Sequence, residues 1–128
     1  MKEILLVGAG GCIGAICRYK LGGWILHHWE HEHFPLATLL INLLGCLLIG
    51  VIGGIAERAH AFSPHLRILL ITGLLGGFTT FSAFGFETIY LLRRGDVPAA
   101  ALYVGLSILL GVVAVWAGLK IAFACTTH

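Results

Sequence analysis

Three stretches of this chain, 34–56, 68–86 and 97–119, contain no Asp, Glu, Lys or Arg, and a fourth, 4–26, carries only Arg18 and Lys20. A helix needs about 20 predominantly apolar residues to cross the hydrocarbon core of a bilayer, and each stretch has that length. Only 11% of the residues are charged and 59% are apolar, against about 25% charged in soluble domains. A soluble helical bundle is excluded, because no polar layer remains to face water. Strand-length segments of alternating polarity are absent as well, which excludes a membrane β-barrel. The pattern predicts an all-α membrane protein with four spans, at about 4–26, 34–56, 66–92 and 97–119, in one domain covering 1–128.

Local signals agree with these spans. Pro35 opens the second. Ser63-Pro64 reads as an N-cap followed by proline at the first helical position, and Asp96-Val97-Pro98 repeats the device before the fourth. Gly95, after Arg93 and Arg94, marks the end of the third. The connections, 27–33, 57–66 and 93–96, are short. Lys2 is followed at once by Glu3, a poor start for a cleaved signal sequence, so the first span is read as retained. The glycine pairs Gly10/Gly14, Gly50/Gly54 and Gly73/Gly77 have the small-xxx-small spacing that brings helices close together in lipid. Cys12, Cys17, Cys46 and Cys125 lack metal-ligand spacing and read as small packing residues. No basic run points to nucleic acid.

Four spans place both termini on one side of the membrane. That side carries Lys2, Arg58, Arg67 and Lys120; the other carries Arg18, Lys20, Arg93 and Arg94. With no charge bias, the positive-inside rule selects no orientation. Four helices also enclose little beyond their own side chains. Both points lead to the expectation of an antiparallel homodimer of oppositely inserted copies.

Polar groups within spans ask for a reason. Thr38, Asn42 and Gly45 fall at i, i+4 and i+7 on one face of span two, and Tyr103 and Ser107 share a face of span four. Span three holds Thr72, Thr79, Thr80, Ser82, Phe81 and Phe84, followed by Glu87. These are neutral hydrogen-bond donors beside rings with a partially positive edge. They suit a small anion, since they replace its water shell without a fixed cation to trap it. Bonds to their own helix or a neighbour are the alternative account. Gly76-Gly77 followed by Thr79-Thr80 predicts a helix break in span three, because paired glycines and β-branched residues both weaken a helix. Carbonyls freed there must meet protein, water or a cation. Two breaks meeting on a dimer axis would form an oxygen cage suited to a monovalent ion.

The motifs now carry a resemblance. Gly11-Cys12-Ile13-Gly14-Ala15-Ile16-Cys17-Arg18-Tyr19 resembles the GxxGAxxRY motif of the CrcB/Fluc fluoride channel family. Ala37-Thr38-Leu39-Leu40-Ile41-Asn42-Leu43-Leu44-Gly45 is similar to its (G/A)TLxxNxxG motif. Gly73 to Ser82, GLLGGFTTFS, resembles its GxxGGxTTFS motif, with Glu87 following. The three occur in order, and Tyr103 and Ser107 add span four. The resemblance implies a dual-topology homodimer in the cell (inner) membrane with two fluoride pores that export fluoride passively. It assigns Phe81 and Phe84 to the aromatic pore lining, Asn42 to a donor beside them, and Thr38, Ser82, Tyr103 and Ser107 to a polar path. It places Arg18 toward a vestibule and Glu87 near the pore or its mouth. It implies a structural sodium ion held at the dimer centre by the carbonyls of Gly76 and Thr79. Ala83 and Gly85 depart from the hydroxyl residues usual in the family, as does Gly111 from some members.

Two other functions compete. A small dual-topology proton-coupled multidrug exporter needs a carboxylate deep in the membrane, for which Glu87 is the sole candidate. A metal-binding role would rest on His27-His28-Trp29-Glu30-His31-Glu32-His33, where His27 and His31 are i, i+4, but this segment is read as a loop outside the membrane.

Overall fold

The computed structural model describes residues 1–29, 33–58 and 62–125. Four helices in it are long and apolar enough to cross a membrane. We number the helical segments α1 (Lys2–His28), α2 (Leu36–Arg58), α3 (64–78), α4 (Phe81–Arg93) and α5 (Val97–Cys125). The third span comprises α3 and α4 with Thr79 and Thr80 between them. Among the described residues there is no strand.

The caps read from the sequence are present. The Ser63 hydroxyl accepts from the Leu66 N–H at 3.3 Å, and an Asp96 carboxylate oxygen accepts from the Ala99 N–H at 3.2 Å. Gly95 has φ +79°, a backbone state that costs glycine nothing and lets the chain reverse within 94–96. Other boundaries differ. The first helix continues through His27 and His28, which therefore close α1 and do not belong to a loop; the His28 ring lies 2.9 Å from the Trp24 carbonyl. The fourth runs six residues past Leu119 to Cys125. Charge marks where hydrocarbon ends, whereas backbone bonding continues into the interface. There Lys120 lies 5.4 Å over the Trp116 ring and Arg94 5.5 Å over Tyr90, as amphipathic anchors do.

Packing divides into two helix pairs. α1 lies along α3, and α2 along α5. Glycine makes both seams. A Cβ on Gly10 would sit 2.5 Å from the Leu69 carbonyl oxygen, and one on Gly73 would sit 3.1 Å from the Gly10 Cα. Across the other seam, a Cβ on Gly50 would lie 3.0 Å from the Gly118 Cα. In lipid, where apolar contact alone favours no partner, such backbone proximity supplies the packing. Residues Ile68–Leu75 of α3 form a π-helix, whose i→i+5 pattern is rare and concentrates at functional sites.

Candidate functional site

The break in the third span is two residues wide. Thr79 (φ −90°, ψ 156°) and Thr80 (φ −148°, ψ 114°) are extended. The break therefore falls at the threonines. Gly76 and Gly77, which the sequence grouped with it, are still helical, and Gly77 serves the seam with α1: a Cβ there would lie 2.9 Å from the Gly11 Cα. β-Branched residues favour extended backbone, and Gly45 on α2 leaves room for the Thr79 methyl group. The Thr79 N–H and hydroxyl both donate to the Leu75 carbonyl at 3.0 Å. Thr80 caps α4, its hydroxyl accepting from the Ala83 N–H at 3.2 Å. Asn42, reaching from α2, accepts from the Thr80 N–H at 2.9 Å and donates to the Thr80 carbonyl at 3.1 Å. The carboxamide has one further N–H to offer.

Two cavities flank this point. One, about 370 Å³, is lined by Asn42, Phe81, Phe84, Ser107, Gly76 and Thr79, with Thr80 and Cys46 among its remaining walls. The other, about 500 Å³, is lined by Arg18, Lys20, Thr38, Thr80 and Ala83 among others. Thr80 is common to both.

Glu87 binds the spans together. It accepts from the Thr38 hydroxyl through Oε1 and from the Tyr103 hydroxyl through Oε2, each at 2.6 Å, short bonds of the kind a carboxylate acceptor makes. Tyr103 is fully buried. Its ring lies 5.3 Å from Phe84 and 5.6 Å from Phe34, and Phe84 lies 5.5 Å from Phe81. A file of four rings thus runs beside the carboxylate, from half-buried Phe34 to Phe81, which is 84% exposed.

The structure brings together Asn42, Phe81, Phe84 and Ser107 in one place, and Thr38, Tyr103 and Glu87 in a second. Arg18 lies in the larger cavity, separate from the aromatic pair. Ser82 lines neither cavity; its hydroxyl is 3.2 Å from that of Thr80. Thr80, which the sequence places both among the neutral donors of span three and at the break, serves as a wall of both cavities.

The carbonyls of the break were expected to hold sodium. Among the described residues, no backbone hydrogen bond runs from α4 back to Gly76–Phe78. Gly76 and Thr79 both face the smaller cavity. Neutral carbonyl oxygens left by a break have the chemistry that fits an alkali cation. No group of three or more His, Cys, Asp or Glu residues able to hold a metal occurs among the described residues. Glu30, His31 and Glu32, and with them the pairing of His27 with His31, lie outside the described residues.

Over residues 5–119 the chain matches the family described as CrcB-like protein, Camphor Resistance (CrcB). It is similar to the fluoride-specific ion channel FluC of Methylobacillus flagellatus, 47% identical over 121 residues, 94% of each chain. The protein of the same name from Flavobacterium psychrophilum is 46% identical over 122 residues, covering 95% of this chain and 98% of that one. That from Rhizobium etli is 46% identical over 121 residues, covering 94% and 96%.

Proposed function

We propose that this chain, which belongs to the CrcB-like family, is a fluoride-selective channel that lets fluoride leave the cell passively across the cell membrane. The observation that carries this reading is the cavity of about 370 Å³ where Phe81, Phe84, Asn42 and Ser107 meet inside the membrane-spanning region with no cationic side chain in the lining. Ring edges and neutral donors compensate a dehydrated anion there without trapping it. The Thr38 and Tyr103 hydroxyls, now given to Glu87, are the next donors along the route. Arg18, in the larger cavity, draws anions toward the mouth. Transport of this kind calls for no catalytic residue.

The working unit is an antiparallel homodimer of oppositely inserted copies. Two features support it: Phe81 is 84% exposed at the edge of the cavity, and the basic residues divide evenly between the two sides. In such a dimer the Gly76 and Thr79 carbonyls from both copies would hold the sodium ion, which supplies charge to satisfy the open backbone.

The test is efflux from liposomes containing the purified protein. Fluoride is expected to leave and chloride to stay; release of both ions, or of neither, overturns the reading. For topology, an impermeant thiol reagent is expected to label cysteines placed at the termini from both faces of the cell membrane in comparable amounts. Labelling from one face alone would refute dual insertion.

A further inference from the structure

We propose that Asn42 is a positioning residue whose carboxamide takes the place of the backbone partners that Thr80 loses at the break, and thereby sets the direction in which Phe81 and Phe84 enter the cavity. This deepens the channel reading and rests on it for its functional consequence.

The argument starts from Thr80. In a continuous helix its N–H would bond the carbonyl four residues earlier. At the break that partner is out of reach, and an unbonded N–H in the membrane interior is costly. Thr80 is extended (φ −148°, ψ 114°), and an extended residue presents its N–H and C=O on the same side, as in a hydrogen-bonded antiparallel pair. One carboxamide, with an acceptor and a donor side by side, satisfies both groups at once. Asn42 does so at 2.9 and 3.1 Å, within the normal range for N–H···O bonds. The Thr80 N–H demands an oxygen, so the pairing also fixes which way the amide faces.

Few side chains perform this task from α2. Aspartate has no donor for the carbonyl. Serine spans one group at a time. The anchor is firm, because α2 packs along most of α5 through the Gly50–Gly118 seam. The clamped residue is also the N-cap of α4, so holding its backbone fixes where the helix bearing Phe81 and Phe84 begins. Since Thr80 walls both cavities, the same clamp forms the partition between them.

The test reads the clamp directly. Full-length protein is labelled with ¹⁵N-threonine and reconstituted in lipid in fluoride-free buffer, and amide hydrogen exchange is followed at Thr80. Thr88, in the same helix, reports folding. In Asn42→Ala, Thr80 exchange is expected to rise about tenfold or more while Thr88 stays protected. In Asn42→Asp, which keeps the oxygen that accepts from the Thr80 N–H, exchange is expected to remain within about threefold of wild type. Unchanged Thr80 exchange in Asn42→Ala overturns the proposal. If Thr88 protection is also lost in that variant, Asn42→Leu, which keeps the volume but offers no acceptor, replaces it with the same expectation and the same overturning result. The measurement does not depend on conduction. A protein that failed to pass fluoride yet behaved this way would remove the channel reading and leave the clamp standing.

Discussion

Phe81→Ile and Phe84→Ile are each expected to lower fluoride efflux from liposomes at least about tenfold, a barrier increase of about 1.4 kcal/mol, while leaving the protein folded and its assembly unchanged. Isoleucine keeps an apolar side chain but removes the ring. The property lost is the partially positive edge, which an sp³ methyl group does not supply. Phe81 is 84% exposed, so its replacement costs the protomer little packing. Phe84 touches both Phe81 and Tyr103, and losing those contacts costs about 1 kcal/mol of stability, too little to unfold a protein whose helices are held elsewhere. A drop in flux with unchanged elution on size exclusion therefore reports the ring edges. Wild-type flux in both variants would end the aromatic role.

The elements that were legible in the sequence are those governed by local rules. The absence of charge located the four spans, and Ser63, Gly95 and Asp96 located three ends. The i, i+4, i+7 spacing placed Thr38, Asn42 and Gly45 on one face. All three then meet the third span, through Glu87, Thr80 and the Thr79 methyl group respectively. What each would meet was not legible, because a partner 38 or 49 residues away leaves no periodic trace. The π-helix of Ile68–Leu75 was hidden for another reason. An all-apolar segment offers no contrast by which i+4 bonding is told from i+5. The break was expected from four residues, and two of them make it. Glycine pairs weaken a helix in general, yet Gly76 and Gly77 both stay helical, Gly77 in close contact with Gly11 of α1.

Gly14→Leu is expected to remove most of the folded protein, whereas Gly8→Leu on the same helix leaves it intact. The contrast follows from what each new Cβ would meet. At Gly14 it would collide with the Leu74 carbonyl oxygen and lie 2.8 Å from the Phe78 backbone nitrogen; at Gly8 nothing lies within 4 Å. Backbone atoms do not rotate aside as side chains do. Relief requires α1 to move away from α3. Overpacking of this kind costs about 1–3 kcal/mol even where neighbours yield, and here the neighbours are main chain. Because apolar surface gains nothing by leaving lipid for protein, the separated helices have no other contact to recover the loss. The damage also reaches the site, since α1 bears Arg18 and α3 leads directly into Thr79. Thermal unfolding in detergent is the measurement: a Tm well below wild type for Gly14→Leu, with Gly8→Leu near wild type, within about 0.5 kcal/mol of its stability. Equal Tm values for the two variants would mean that the seam does not hold the first span to the third, and the close glycine approach would lose its claim to set the position of the break.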